Sequence, residues 1–321
     1  MEGNRRITEI PADRRPEEFD ALWAKVFGDD QDLIVGFFLN FSREIRAYGL
    51  WQDNQLISAL TQFLMGRLVL PDMDAADSSR DVYVSYAICT DPDARGQGAG
   101  SEITRYAGEE ILKRGSLSVL SPAEESLINF YQPMGYRSLF PAQYGSAVSG
   151  TIGDLLFDHI PAEEYNRLRE EFLSKRPHIA LSQKALRLVQ FFSWEENGFY
   201  AVRRLGQEGV VIETSVIDAA KDTTIEAITV LGLDEEGNPL LQEILVSPSS
   251  SLTTADIAGA FAAVFGHRFE SPKLNWRAPV PECSITSQGQ IYTQAMILCS
   301  SDTAKKLENS PQPPYFGFPF D

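Results

Sequence analysis

The stretch that decides the fold is Tyr86–Gly100, which reads YAICTDPDARGQGAG. An apolar run typical of a strand ends at Asp91-Pro92, and a helical pattern follows Gly100. Glycines at 96, 98 and 100 let the backbone pass close to a ligand, because no Cβ stands in the way. Backbone N–H groups at the start of the helix favour an anion. The stretch therefore predicts a pyrophosphate cradle beside a strand edge that can pair with an amide-bearing arm.

Two better-known phosphate loops do not fit this stretch. A P-loop requires Gly-Lys-Ser/Thr, which does not follow here. The dinucleotide fingerprint requires glycine at 101 or 103, where Ser101 and Ile103 stand. The pattern Arg-x-x-Gly-x-Gly, formed by Arg95, Gly98 and Gly100 between strand and helix, resembles instead the acetyl-CoA-binding motif of the GCN5-related N-acetyltransferases, the GNAT superfamily.

A second element, Asn129–Tyr136, reads NFYQPMGY and resembles the FYxxxGF/Y signature of the same family. The resemblance implies that Tyr131 is the general acid for the departing CoA thiolate, since a phenol with a pKa near 10 is a suitable proton source. The alternative is that its ring packs under the CoA arm. The resemblance also implies a set of residues that bind acetyl-CoA: Ile88, Thr90, Arg95, Gly96, Gln97, Gly98, Ala99, Gly100 and Asn129.

The length of 321 residues predicts two domains, which we place at 1–150 and 151–321. The first half shows the order helix, helix, strands, cradle, helix, strand, helix, strands. That order matches the GNAT fold, an α+β fold with a mixed, mainly antiparallel sheet flanked by helices. The helices are predicted from Pro16, over Leu33–Arg46 and Ser101–Arg114, and the strand before the cradle over Asp81–Thr90.

The second half repeats this plan after a link at Ser149–Asp158. Helices are predicted at Ala162–Ser174, Gln183–Phe192 and Thr254–Phe265, with strands at Phe199–Arg203, Val210–Ile217, Ile225–Leu233 and Leu240–Val246. Ile88–Pro92 falls opposite Ile244–Pro248, but neither glycine nor arginine follows Pro248 to bind a pyrophosphate. The second half is thus a degenerate GNAT-like domain or another α+β accessory domain, which shapes the acceptor pocket or an oligomer interface.

The composition limits the partners. A formal net charge of −17 argues against nucleic acid and favours a small, cationic amine acceptor. No apolar leader or run of about 18 apolar residues occurs, so we expect a cytoplasmic protein without a membrane partner. The three cysteines and three histidines are scattered, which predicts neither a disulfide framework nor a metal site.

A general base for the amine is not evident from the sequence. Glu44 and Asp81 are candidates, although each is typical of a solvated surface group. Cys89 lies on the cofactor strand, but a small buried core residue is the better interpretation than a ping-pong nucleophile.

The end of the sequence, Pro311–Asp321, reads PQPPYFGFPFD and is the remaining candidate. Its aromatic side chains are expected to pack against the folded protein and not to stay exposed to water. Asp321 is a candidate catalytic base, by a loose resemblance to the enhanced-intracellular-survival aminoglycoside acetyltransferases, a multi-domain GNAT group whose C-terminus reaches the N-terminal active site. This sequence is too short for the three domains of that group, and structural docking alone is the alternative role.

The sequence therefore predicts an acetyl-CoA-dependent N-acetyltransferase without a metal. An amine of unidentified structure would attack the thioester directly in a ternary complex. The alternative function is a non-catalytic acyl-CoA-binding or sensor protein, which would need the cradle but not a placed acid.

Overall fold

The computed structural model describes residues 4–71, 80–148, 150, 154–192, 198–204, 224–234, 237–266, 273–281 and 289–318. The predicted strand at 210–217 lies outside these residues.

The described residues of the first half contain ten α-helices and β-strands. They are β1 (Arg5–Ile10), α1 (Glu17–Phe27), α2 (Gln31–Phe41), β2 (Ile45–Gln52), β3 (Gln55–Val69), β4 (Arg80–Thr90), α3 (Ala99–Lys113), β5 (Leu117–Leu120), α4 (Ser126–Tyr131) and β6 (Arg137–Val148). The predicted helix over Leu33–Arg46 is too long, since α2 ends at Phe41 and Ile45 already pairs with Phe63 of β3.

The second half contains eleven more elements among the described residues. They are β7 (Leu155–His159), α5 (Ala162–Phe172), β8 (His178–Leu181), α6 (Gln183–Phe192), β9 (Phe199–Arg204), β10 (Ile225–Leu233), β11 (Pro239–Val246), α7 (Thr254–Phe265), β12 (Lys273–Pro279), β13 (Gln290–Leu298) and α8 (Ser301–Glu308). The predicted link at Ser149–Asp158 is wrong in its last part, because β7 begins at Leu155 and pairs with β9.

The strands form one sheet in the order β1-β2-β3-β4-β5-β13-β6-β12-β11-β10-β9-β7, with β8 added to β3. Neighbours are antiparallel except β4–β5 and β11–β12, which are parallel. We call β1 to β5 with α1 to α4 the first unit, and β7 and β9 to β12 with α5 to α7 the second unit. Strands β6 and β13 pair with each other between the two units. Because β13 separates β5 from β6, the first unit is completed by a strand from the end of the chain. The domain boundary near residue 150 stays a prediction.

The two faces of the sheet are covered by different helices. On one face, α1, α2, α5, α6 and the tail Tyr315–Phe318 share one apolar core that extends across both units. On the other face, α3 covers the first unit and α7 covers the second. The amphipathic spacing of α3 determines which side of the helix packs on the sheet. Its apolar residues Ile103, Ala107 and Ile111 are all fully buried. Within the described ranges, no helix has the length and hydropathy to cross a membrane.

Candidate active site

Strand β4 separates from β5, but not from β3, at the level where the acetyl-CoA arm is predicted. It pairs with β5 only from Val82 to Val84. Between Tyr86 and Cys89 the register with β3 shifts, which marks a β-bulge, and Ala87 there has a positive φ of 50°. Beyond the bulge, the β4 edge directed towards β5 has no paired strand among the described residues. Its N–H and C=O groups can therefore pair with an amide-bearing ligand.

The loop between β4 and α3 presents an uncapped helix N-terminus. Gly98 is the N-cap residue of α3, with a φ of 80°, and no side chain caps the first turn. A Cβ added at Gly96 or Gly98 would have no other atom within 4 Å, so the space beside this backbone is open. The first N–H groups of a helix have no partner in the helix and carry partial positive charge. These residues fit the pyrophosphate of acetyl-CoA.

The predicted cofactor-binding residues come together at the end of β4. A Cβ at Gly100 would lie 3.2 Å from Thr90 Oγ1 and 3.7 Å from the ring of Phe130, so β4, the cradle and α4 meet there. Ile88 packs against both the cluster under α3 and the cluster that contains Tyr131. The other predicted members divide into the buried Ala99 and a set of exposed residues, Arg95, Gly96, Gln97, Gly98 and Asn129.

Tyr131 ends α4 and is only 7% exposed. Its ring packs edge-on against Phe130 and Tyr136, with centroid distances of 5.1 and 6.1 Å. Burial, with a smaller contribution from Tyr136, raises the pKa of Tyr131 to about 12. The phenol therefore stays protonated at neutral pH and has a proton to give, although the raised pKa makes it a weaker acid than a free phenol.

Asp81 and Glu44, which the sequence offers as candidates for the general base, lie far from the end of β4. Asp81 is near the start of β4, seven residues before Ile88 or about 23 Å along the strand, and it pairs with Arg67 at 3.4 Å. The carbonyl of Glu44 accepts from Leu64 N, and Leu64 pairs with Tyr83, which is about 16 Å from Ile88 along β4. Neither carboxylate reaches a thioester at Ile88.

Cys89 is a core residue. It is 1% exposed, and its thiol donates to the carbonyl of Ala59 at 3.6 Å. Burial raises the pKa of the Cys89 thiol to about 12, so a thiolate does not form near neutral pH.

An aromatic cluster on the opposite face of β4 was not predicted as part of the site. The ring of Tyr86 contacts those of Trp23 and Phe37, with centroid distances of 5.5 and 5.9 Å. This cluster lies on the face of α1 and α2, whereas the cradle lies at the start of α3 on the other face. Side-chain alternation alone would place Tyr86 on the same face as Ile88, and the bulge at Ala87 reverses this, so no signal in the sequence could have found the cluster.

The predicted docking of the tail is confirmed for the described residues Tyr315, Phe316 and Phe318, which are at most 2% exposed. Tyr315 N donates to Pro177 O at 2.8 Å, and Ile179 N donates to Tyr315 O at 3.3 Å. Asp321 lies outside the described residues, so its predicted catalytic role stays a prediction.

The sequence itself matches a known family model. Residues 58–138 match the acetyltransferase (GNAT) domain, a range that begins in β3 and includes the β4 bulge, the cradle and Tyr131. The chain contains a GNAT acetyltransferase domain. The predicted enzyme class, an N-acetyltransferase, is confirmed, and acyl transfer is the general chemistry of such a domain. No curated protein matches the sequence.

Solved structures of low identity share the fold over both halves. A probable N-acyltransferase from Enterococcus faecalis V583 aligns with a TM-score of 0.60 at 12% identity, over 92% of this chain and 72% of its own. A tandem GNAT protein from the clavulanic acid biosynthesis pathway gives a TM-score of 0.54 at 12% identity, over 92% and 98%. Eis1 from Mycobacterium abscessus gives 0.52 at 11% identity, over 92% and 73%. The predicted fold, a GNAT half followed by a GNAT-like half, is confirmed.

Proposed function

We propose that the protein is an acetyl-CoA-dependent N-acetyltransferase with one active site per chain, in the GNAT domain. The observation that carries this proposal is that three features meet at the end of β4: the uncapped N-terminus of α3, the unpaired strand edge beyond the bulge, and Tyr131. The helix N-terminus would bind the diphosphate of acetyl-CoA, the strand edge would pair with its amide-bearing arm, and Tyr131 would protonate its thiolate.

The proposed reaction is a direct transfer. The amine nitrogen attacks the thioester carbon, the C–S bond breaks, and the thiolate takes the phenol proton of Tyr131. The backbone groups of Ile88 and Thr90 align the thioester, and the N–H groups of the cradle hold the diphosphate. Asp321 or solvent accepts the proton that the amine loses. A route through an acetylated Cys89 is disfavoured because its thiol is buried and its pKa is raised.

The second unit lacks the features of the cradle. The N-terminus of α7 is capped by Thr253 and Asp256 in a capping box, so the backbone N–H groups of these two residues already have partners. The carboxylate of Glu226, which is 8% exposed, accepts a hydrogen bond from Ser250 in the loop that replaces the cradle. Glu226 also accepts from Arg204 Nε at 3.1 Å, so this loop is tied into the chain's own hydrogen bonds instead of being open to an anion. We therefore propose one bound acetyl-CoA per chain.

The acceptor we propose is a small cationic amine. The net charge of −17 concentrates cations near the surface. The ring of Tyr86 is partly exposed and packs on the buried rings of Trp23 and Phe37, and an accessible aromatic face attracts cations. Thiol release from acetyl-CoA with a panel of polyamines, aminoglycosides, amino acids and N-terminal peptides tests the proposal. Tight acetyl-CoA binding without thiol release for any amine would favour the sensor function instead.

Replacing Tyr131 with phenylalanine should lower kcat by roughly 10²–10⁴-fold and leave the acetyl-CoA Kd nearly unchanged. The ring packing is kept in the variant, whereas the proton donor is lost. Steady-state kinetics and calorimetry measure the two quantities. A kcat within about threefold of wild type would mean that Tyr131 only packs and that another group is the acid.

As the pH is raised to about 10, kcat should increase and should not pass through a maximum. The acid form of Tyr131 is required, and a pKa raised to about 12 keeps that form populated below this value. The neutral amine becomes more abundant as pH rises. Turnover measured at saturating amine from about pH 7 to about pH 10 checks this. A fall with an apparent pKa near 9 would assign the acid role to a different group.

A further inference from the structure

The β-bulge in β4 is a strained piece of backbone. On β3, Leu60 alone lies opposite both Ala87 and Ile88, because the register shifts between the flanking pairs. Ala87 has a φ of 50°, a region in which a residue with a Cβ is strained. Among the described residues, the other non-glycine residues with a positive φ both belong to the turn Asp53–Asn54. A strained strand residue persists only where surrounding contacts hold it.

Two hydroxyl groups of β3 bracket the bulge. Thr61 Oγ1 donates to Tyr86 O at 2.6 Å on one side, and Ser58 Oγ donates to Cys89 O at 2.6 Å on the other. Ser58 and Thr61 are both fully buried. The register of β3 with β2 is continuous from Ser58 to Thr61, so their side chains point to opposite faces of the sheet. The bulge is therefore held from both faces.

Ser58 also connects the bulge to the cradle. Its Oγ lies 2.9 Å from Thr90 Oγ1. Because Ser58 has one hydroxyl proton and donates it to Cys89 O, the Thr90 hydroxyl is the donor in this second bond. Thr90 Oγ1 lies 3.2 Å from the position of a Cβ at Gly100, in the first turn of α3. This chain of hydrogen bonds fixes the residue at which the strand edge meets the helix N-terminus.

The bulge determines which backbone groups face the open edge of β4. The strand pairs with β5 only up to Val84, and the edge is unpaired beyond the bulge. In a regular strand without the extra residue, each later residue would be shifted by one position and would turn to the opposite side. Ile88 and Thr90, which we assign to the acetyl-CoA arm, lie in the bulge and just after it. Holding the bulge therefore keeps their backbone groups in place for the arm.

The second unit has a similar hydroxyl beside a bulge that binds no cradle ligand. The register of β10 with β11 shifts next to Glu243, and Thr229 of β10 donates from Oγ1 to Glu243 O at 2.8 Å. Thr229 is fully buried. No residue of β11, all of which are described, has a positive φ, and the helix that follows is capped. Thr229 thus makes the same kind of bond without a strained residue or an uncapped helix beside it.

We propose that Ser58 and Thr61 are positioning residues for acetyl-CoA. Their hydroxyls hold the β4 bulge, with its strained Ala87, in the conformation that opens the strand edge to the amide-bearing arm. They act through the backbone of β4, from the side of β3. This inference rests on the proposed function, because it takes acetyl-CoA as the ligand of the open edge.

The substitution Thr61→Val tests the proposal in the full-length chain, because valine keeps the branched shape of threonine and lacks the hydroxyl. Ser58→Ala tests the second hydroxyl. The matched control is Thr229→Val, which removes the corresponding bond beside the β11 bulge. Calorimetry measures the Kd of acetyl-CoA and the Kd of ADP, which carries a diphosphate but no amide-bearing arm.

We expect Thr61→Val and Ser58→Ala each to raise the acetyl-CoA Kd by roughly 10-fold. In Thr61→Val the ADP Kd should stay within about threefold of wild type, because the cradle is intact and only the edge that binds the arm is misplaced. Thr229→Val should leave both Kd values unchanged. An acetyl-CoA Kd within about threefold of wild type in both first-unit variants would overturn the proposal. Equal weakening of acetyl-CoA and ADP in Thr61→Val would assign its hydroxyl to general stability and would overturn the proposal as well.

Ala87→Gly provides a rescue that a general loss of packing would not show. Glycine adopts a φ of 50° without strain, so the bulge needs less support from β3. Combined with Thr61→Val, it should return the acetyl-CoA Kd to within about threefold of wild type, and no recovery would overturn the role of the bulge. If Thr61→Val does not fold, Ser58→Ala and its combination with Ala87→Gly decide in the same way. If wild type binds acetyl-CoA but transfers acetyl to no amine, the proposed function fails, and the Kd comparisons still decide whether the hydroxyls position the edge.

Discussion

Replacing Gly98 with glutamate is expected to abolish acetyl-CoA binding. The side chain would enter the open space beside the cradle, where no residue other than the chain neighbours of Gly98 lies within 4 Å of an added Cβ. It would place a carboxylate at the uncapped N-terminus of α3, the site proposed for the diphosphate. It would also force a non-glycine residue to a φ of 80°. Loss of affinity by roughly 10³-fold, about 4 kcal/mol, is the expected result by calorimetry.

Gly115 provides a matched control for this substitution. It follows the other end of α3, about 22 Å away, with a φ of 79° and no atom within 4 Å of an added Cβ. Gly115→Glu therefore brings the same backbone strain and the same charge without entering the cradle. We expect it to bind acetyl-CoA like wild type. Equal affinity for Gly98→Glu and wild type would contradict the central claim that this loop holds the diphosphate.

The parts of the site that are local in sequence were predictable. The strand–cradle–helix order, the helical stripe of α3 and the position of Tyr131 follow from residues within about 50 positions of one another. Each depends on glycine placement or on side-chain periodicity, which short sequence windows display. The bulge at Ala87 was not predictable, since alanine gives no signal for a positive φ.

The contacts between residues that are far apart in the sequence were not predicted. Strand β13 lies next to β5 although about 170 residues separate them, and nothing in either segment specifies that neighbour. The pairing of Arg169 with Glu243 is similar, because neither residue lies in a motif. The docking of the tail could be predicted from its aromatic content, but its partners could not. Such contacts are set by packing of the whole sheet, and a one-dimensional pattern does not encode them.

Deleting Pro314–Asp321 should destabilise the whole protein and abolish acetyl transfer. The deletion removes Tyr315, Phe316 and Phe318, which are part of the core shared by both units. Truncating one buried Phe to Ala costs about 3–5 kcal/mol, and three such losses approach the total stability of about 5–15 kcal/mol typical of a folded protein. Thermal unfolding and thiol release measure the two effects. Wild-type Tm and kinetics would show that the tail neither supports the fold nor contributes to the reaction.

A shorter deletion separates docking from catalysis. Removing only Pro319–Asp321 leaves the three buried aromatic residues and their contacts with β8 and Gln294 in place. We expect this variant to unfold near the wild-type Tm, because the deletion leaves every described contact of the tail intact. If Asp321 is the base, kcat falls by roughly 10²–10⁴-fold in this variant, and Asp321→Asn shows how much of that fall belongs to the side chain. Unchanged kcat in both variants would assign the tail to docking alone, and solvent would then accept the proton that leaves the amine.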